Sequence, residues 1–229
     1  SNMVALKSNG TVWAWGSNVV GALGDGTTVS KSSPVQVGTA TNWASVSASP
    51  NASVLATRSD GTLWGWGLNS SYQLGLGDTS TRTSPVQIGT ATNWVQVSTG
   101  SLSGYGLRSD GTLWGWGANS NGQIGDGTVT DRRIPTQIGT ASDWKQISGG
   151  QNNFVMGVKT GGTLWGWGFN ASSQLGDGTT TTRFSPVQIG VSSNWKLVAA
   201  GSSHSMAITT AGTLWGWGSN TSGQLGDGS

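Results

Sequence analysis

Gly61-Thr62-Leu63-Trp64-Gly65-Trp66-Gly67 is the stretch on which the fold turns. It returns with small changes at 10–16, 111–117, 162–168 and 212–218. Its first tryptophan falls at Trp13, Trp64, Trp114, Trp165 and Trp215, which makes the steps 51, 50, 51 and 50 residues. A period that regular signals a solenoid, a propeller or an array. A helix is a poor home for the stretch, because glycine at every second position costs about 1 kcal/mol each there. In a strand, Trp64 and Trp66 share one face and Gly65 and Gly67 the other. One face is bulky and the other bare, so the indoles of one unit are expected to press on the glycine side of its neighbour. Burying an indole removes roughly 200 Å² from water, worth at most a few kcal/mol at about 25 cal/mol/Å². Trp13, Trp15, Trp64, Trp66, Trp114, Trp116, Trp165, Trp167, Trp215 and Trp217 are therefore expected to be packing residues between blades.

Outward from this word, each repeat reads as four short strands. A strand around a lone tryptophan (Trp43, Trp94, Trp144, Trp195) precedes an apolar strand such as Val54 to Thr57. Then comes a turn, Asn9-Gly10, Asp60-Gly61 or Asp110-Gly111, which predicts a two-residue type I′ hairpin with positive φ at both positions. The tryptophan word is the third strand. Pro-Val-Gln, led by Pro34, Pro85 or Pro186, is the fourth, with proline expected at the start of an edge strand. The fold class is all-β: a propeller-like array of four-stranded antiparallel blades, about four and a half repeats over residues 1–229, expected to be incomplete at both ends.

Composition narrows the function classes. The 229 residues include 39 glycines and 14 tryptophans, no cysteine and one histidine, with charged residues at 9%. That is well under the usual quarter or so, and the surface is hydroxyl- and amide-rich. Net charge is +2 without a lysine/arginine cluster, which argues against nucleic acid as a partner. No apolar run reaches the roughly 18 residues of a membrane helix, so membrane insertion is not expected. Disulfides are excluded.

The order Trp-x-x-Val/Ile-Ser, an apolar strand, Asp-Gly-Thr-Leu-Trp-Gly-Trp-Gly, Gly-Gln-Leu-Gly-Asp-Gly-Thr and Ser-Pro-Val-Gln-Ile resembles the repeat of the regulator of chromosome condensation family over the whole chain. The resemblance implies a β-propeller of four-stranded blades. Members of that family range from a nucleotide exchange factor to a photoreceptor and a secreted enzyme inhibitor, and a fold shared so widely does not choose among them. The photoreceptor's Gly-Trp-Arg-His-Thr words are absent here. Near-identical repeats resemble the bacterial, surface-exposed or secreted branch.

No catalytic residue, cofactor or metal ligand is assigned. His204, amid Ser202, Ser203 and Ser205, lacks a neighbouring carboxylate. The Gly-Asp-Gly aspartates Asp25, Asp126, Asp177 and Asp227, with Asp78 displaced by an inserted Gly75-Leu76-Gly77, are too sparse for calcium and suit turn formation. Lys31, Arg82, Arg132 and Arg183, with Arg133 beside them, recur just before the proline and would form a basic arc; the alternatives are an anionic ligand or pairing with the turn aspartates. The loops between first and second strands drift most among copies, which makes Tyr105, Asn152, Asn153, Phe154 and His204 candidate partner contacts on an exposed rim. The function expected is a non-catalytic scaffold, extracellular or at the cell surface, that binds a protein or assembles head-to-tail with copies of itself. A lectin-like propeller using surface indoles, or an inhibitor of a secreted enzyme, is the alternative.

Overall fold

The computed structural model describes residues 2–228, which form strands, turns and bends without a helix. Five antiparallel sheets follow one another along the chain. The first holds β1 (Asn2–Leu6), β2 (Val12–Gly16) and β3 (Lys31–Gln36). The second holds β4 (Trp43–Ala48), β5 (Ser53–Arg58), β6 (Leu63–Gly67) and β7 (Arg82–Gln87). The third holds β8 (Trp94–Thr99), β9 (Ser103–Arg108), β10 (Leu113–Gly117) and β11 (Arg132–Gln137). The fourth holds β12 (Trp144–Gly149), β13 (Phe154–Lys159), β14 (Leu164–Gly168) and β15 (Arg183–Gln188), and the fifth β16 (Trp195–Ala200), β17 (His204–Thr209) and β18 (Leu214–Gly218). Each sheet is a meander whose strands lie side by side in chain order, the arrangement of a propeller blade.

Two local expectations are corrected. At the hairpin after β5 only Gly61 takes positive φ, +76°, while Asp60 does not. The Gly61 N–H donates to the Arg58 carbonyl at 2.9 Å and the Arg58 N–H to the Thr62 carbonyl at 3.0 Å, so the loop is a type I turn closed by a glycine bulge. The cause is Asp60, whose Oδ1 accepts from both the N–H and the hydroxyl of Thr62 and thereby holds its own backbone out of the left-handed region. The proline, too, does not lead the fourth strand. Lys31 and Arg82 open β3 and β7, and the proline lies three residues in, on the outermost strand where a missing N–H costs no ladder bond.

The two tryptophans of each word do different work. Trp66, Trp116 and Trp167 are fully buried. Each sends its indole N–H back across the seam to a carbonyl of the preceding blade: Trp66 to Ala22 at 3.1 Å, Trp116 to Gln73 at 3.0 Å, Trp167 to Gln123 at 2.9 Å. The first tryptophan stays within its blade. Trp64 donates to Thr62 Oγ1 at 2.8 Å and meets Trp43 edge-on, 6.0 Å between centroids at 82°. The bare glycine face does not receive the neighbour's indole directly. Leu55, Leu74 and Ile88 fill the space above Gly65, and Trp94 and Trp116 of the third sheet cluster with Leu55, Leu63 and Ile88 of the second.

The long loop after each tryptophan word is organised by a buried asparagine. Asn18, Asn69, Asn119 and Asn170 are fully buried, and each accepts on Oδ1 from the backbone N–H five residues on, as Asn119 does from Ile124 at 2.9 Å. Their side-chain N–H groups bond carbonyls and the carboxylate of the Gly-Asp-Gly segment, for example Asn119 to Thr128 O at 3.0 Å and Asp126 Oδ1 at 3.3 Å. The loop is thereby a fixed element of the seam, and its tip reaches the next blade, where the Gly127 N–H donates to the Phe184 carbonyl at 2.8 Å.

Candidate functional site

Alternation of strand direction gives the blades two rims. One carries the loops joining first and second strands, at 49–52, 100–102, 150–153 and 201–203; the other carries the hairpins such as 59–62 and the connections between blades. The loop rim is stitched from blade to blade. Asn51 donates to Ser101 Oγ at 2.7 Å and Asn152 to Ser203 Oγ at 2.6 Å, while the Gln151 N–H reaches the Gly201 carbonyl at 3.0 Å. Below it the inner strands are joined by side chains that complete backbone groups one blade away. Ser98 Oγ accepts from the Gly149 N–H and Ser148 Oγ from the Ala200 N–H. Gln146 donates to the Val198 carbonyl at 2.7 Å and accepts from the Val198 N–H at 2.8 Å, an amide standing in for a strand partner. These contacts hold the variable loops on a pre-ordered track, so little loop ordering is left to oppose binding.

Of the five candidate contact residues, three lie at this rim and two do not. Asn152 is exposed, Asn153 half-buried with φ of +56°, and His204 half-buried with its imidazole laid against Gly201. Tyr105 and Phe154 are fully buried, which corrects their placement as surface residues. Tyr105 stands opposite Gly115 in the ladder and fills the room that glycine leaves. Its hydroxyl bonds Ser103 Oγ at 2.7 Å and donates to the Gln123 carbonyl at 3.0 Å, the acceptor that also takes the Trp167 N–H. Burial pushes its phenol well above the usual value. The Phe154 ring folds over Gly150. Sequence reading missed Asn51, Gln146 and the Ser98/Ser148 pair; for Gln146 and the serines, recurrence at a 50-residue offset in the Trp-x-x-Val/Ile-Ser word was the signal available, whereas Asn51 lies outside that word and carried none.

The recurrent basic residues are ion-paired. Lys31 lies 3.7 Å from Asp25, Arg82 2.7 Å from Asp78, Arg183 2.7 Å from Asp177, and Arg132 is in close contact with Asp126. The row is a set of neutral pairs rather than an arc of free cations. Arg133 instead lies over the Tyr72 ring at 5.3 Å. Burial alone would raise the carboxyls of Asp126 and Asp177, but bonds from Thr128 and Arg132, and from Thr179 and Arg183, outweigh it and hold both below the usual range. No insertion accompanies Gly75-Leu76-Gly77. Gly75 and Gly77 match Gly125 and Gly127 at an offset of 50, so Leu76 replaces the turn aspartate and Asp78 stands at the threonine position of Thr128.

On the hairpin rim a second set of cations packs on the first-strand and first-word tryptophans. Arg58 lies 3.7 Å from the Trp64 centroid and 4.6 Å from Trp43; Arg108 stands likewise over Trp114 and Trp94; Lys159 covers Trp165 at 4.5 Å. Most indoles that a lectin would need at its surface are thus spent in seams or under cations, although Trp215 is 55% exposed. Among the described residues no group of three histidines, cysteines or carboxylates stands close enough to hold a metal ion.

The family model described as RCC1-like domain matches residues 1–229. Among solved structures, human WBSCR16 superposes with a TM-score of 0.88 at 23% identity, covering 100% of this chain and 62% of that one. Prp20p from Saccharomyces cerevisiae, described with its binding to Gsp1p and histones, gives 0.84 at 22% identity, covering 100% and 58%. Yeast RCC1 (Prp20) bound to Kap60 gives 0.80 at 23% identity, covering 96% and 54%. The chain therefore spans about three-fifths of the length of the structures it matches, and at these identities the likeness establishes the fold.

Proposed function

The chain belongs to the RCC1-like domain family, and from that premise we propose that it is a protein-binding propeller segment that presents its loop rim to a macromolecular partner and performs no catalysis itself. One observation carries the reading. The blade framework repeats almost verbatim, whereas the loops at 49–52, 100–102, 150–153 and 201–203 differ in every copy yet are tied in neighbouring pairs by Asn51–Ser101 and Asn152–Ser203 bonds. A rigid support beneath variable side chains is how recognition loops are displayed. The neighbour described with Gsp1p, histones and Kap60 is of the same fold, and a protein partner for this chain is supported by that analogy. The test is cross-linked capture from the native host with the wild-type chain and with an Asn51→Ala, Gln151→Ala, Asn152→Ala triple variant. Loss of specific partners in the variant is expected, and an identical captured set would sink the assignment to this rim.

A second reading, association with copies of itself, rests on the fifth sheet. Its forward face bears Leu197 and Leu214, 47% and 60% exposed, opposite one another across Ile208 in the ladder. The equivalents of Leu214 at the internal seams, Leu63, Leu113 and Leu164, are covered by the next blade. The tryptophan face of a first sheet from another copy has the matching chemistry, and such a contact is head-to-tail. Light scattering of the 229-residue chain decides: a concentration-independent monomer rules it out. A surface or secreted location goes with this scaffold reading, supported by the near-identical repeats and the weakly charged surface, and protease accessibility of a tagged chain on intact cells tests it.

A further inference from the structure

Equivalent notches between successive blades differ in charge. The notch between the second and third sheets, about 460 Å³, is walled by Leu76, Ile88, Ile134 and Pro135 together with Trp94 and Arg108. One repeat on, the corresponding notch of about 350 Å³ carries Asp126 and Lys159, and Lys159 is bonded to Asp143 at 2.9 Å. The next, about 240 Å³, is lined by Trp195, Trp215 and Trp217 without a charged side chain. One substitution sets the first notch apart, and one residue of the next notch accounts for its ion pair. Leu76 stands where the other Gly-Asp-Gly words have aspartate, whereas Asn93 is the asparagine that Asn42 and Asn194 also supply, and Asp143, which pairs with the cation of the fourth blade, is the exception.

Arg108 is left with no carboxylate. Its guanidinium lies 3.7 Å from the Trp114 centroid and 4.5 Å from Trp94. Among the described residues its side chain makes no ion pair, and its Nε is buried without a hydrogen-bond partner. Asp110 acts on it only from beyond ion-pair distance, with one oxygen committed to the N–H and hydroxyl of Thr112. A fixed, partly desolvated guanidinium with free donors in an apolar notch is a carboxylate receptor lacking its carboxylate.

We propose that this notch takes an aspartate or glutamate side chain of the protein partner, flanked by apolar residues that rest on Leu76, Ile134 and Pro135. The inference rests on the protein-binding reading above and adds a contact on the hairpin-rim side, where Arg108 and the inter-blade connection lie, away from the loop rim. A single arginine matches the charge of one carboxylate, whereas a phosphate carries nearly twice that charge and calls for several donors. The three apolar walls favour an acidic residue within an apolar segment over a free acid.

The test uses the ¹⁵N-labelled 229-residue chain titrated with the peptide acetyl-Ile-Glu-Leu-amide and with its Gln counterpart, read at the indole N–H signals of Trp94 and Trp114. The Glu peptide is expected to shift both signals and the Gln peptide to bind about tenfold or more weakly, the worth of a charged hydrogen bond. Arg108→Gln should remove the preference. Leu76→Asp, the residue the other four repeats carry there, should weaken binding by a similar factor without lowering the melting temperature. Equal binding of the two peptides, or unchanged binding to the Leu76→Asp variant, overturns the proposal. Shifts confined to loop-rim signals would refute the notch and leave the protein-binding reading standing, whereas notch binding alongside an unaffected loop-rim triple variant would do the reverse.

Discussion

Trp116→Phe and Trp167→Phe remove the same atoms from equivalent, fully buried positions, yet the structure requires them to differ in cost. Each opens a void of roughly 40 Å³, worth about 1 kcal/mol at some 24 cal/mol per Å³. Each also deletes an indole N–H that crosses a seam, from Trp116 to the Gln73 carbonyl at 3.0 Å and from Trp167 to the Gln123 carbonyl at 2.9 Å. Among the described residues Trp116 is the sole donor to Gln73 O, whereas Gln123 O keeps a second donor in the Tyr105 hydroxyl at 3.0 Å. Stranding a buried carbonyl costs about 1–3 kcal/mol. Trp116→Phe should therefore destabilise by about 2–4 kcal/mol, and Trp167→Phe by about 1–2 kcal/mol less. Urea unfolding followed by far-ultraviolet circular dichroism measures both, provided the slope with denaturant is unchanged. Adding Tyr105→Phe to Trp167→Phe strands Gln123 O as well, so that double variant should cost more than the sum of its singles. Equal costs for the two tryptophan variants, or strict additivity in the double, would refute the carbonyl argument.

Two further outcomes follow from local geometry. Gly61→Ala is expected to cost about 3 kcal/mol or more, because φ is +76° there and the added Cβ would fall 2.0 Å from the Thr92 carbonyl oxygen; a thermal melt checks it against Gly161→Ala, where φ is not positive and the new atom meets nothing within 4 Å. Acid should weaken the fold through Asp126 and Asp177, whose folded carboxyls sit below the usual range. The unfolded chain then binds more protons as the pH falls through about 3.9 and below, so the stability these groups contribute is fully present above that value and is lost as the pH drops through their folded values. Asp126→Asn and Asp177→Asn together should flatten that limb of a pH–melting curve, and an unaltered acid limb would contradict the assignment.

The strands were legible because a period of 50 residues carries its own punctuation: tryptophan and glycine alternate, and turn pairs bound them. What alternation could not give was which neighbour an inward side chain meets. Tyr105 looked like a loop residue because the loop beside it drifts, and only the ladder shows it opposite Gly115 with its ring filling the vacancy. Asp60-Gly61 looked like a type I′ pair because the dipeptide prefers that turn, and the Thr62 bonds decided otherwise. The pairing of Arg183 with Asp177 stood among the alternatives the sequence offered, since the two residue types recur six residues apart. The bridge from Gln146 to Val198 was not, because it joins positions 52 residues apart that only stacking brings together.

The indole-to-carbonyl stitch between blades has a consequence for how the chain assembles. Donor and acceptor recur in every copy, so any blade carries a plug that fits the socket of any other, and docking in the wrong order is nearly isoenergetic with the right one. What distinguishes one junction from the next are the few departures from the repeat: Ser45, Gln96, Gln146 and Leu197 at one inner-strand position, Gly104 and Ser205 opposite Trp116 and Trp217, and Tyr105 beneath Gly115. These irregular residues act as address labels on otherwise interchangeable parts. Homogenising them toward consensus should leave the folded state intact while lengthening the search for it.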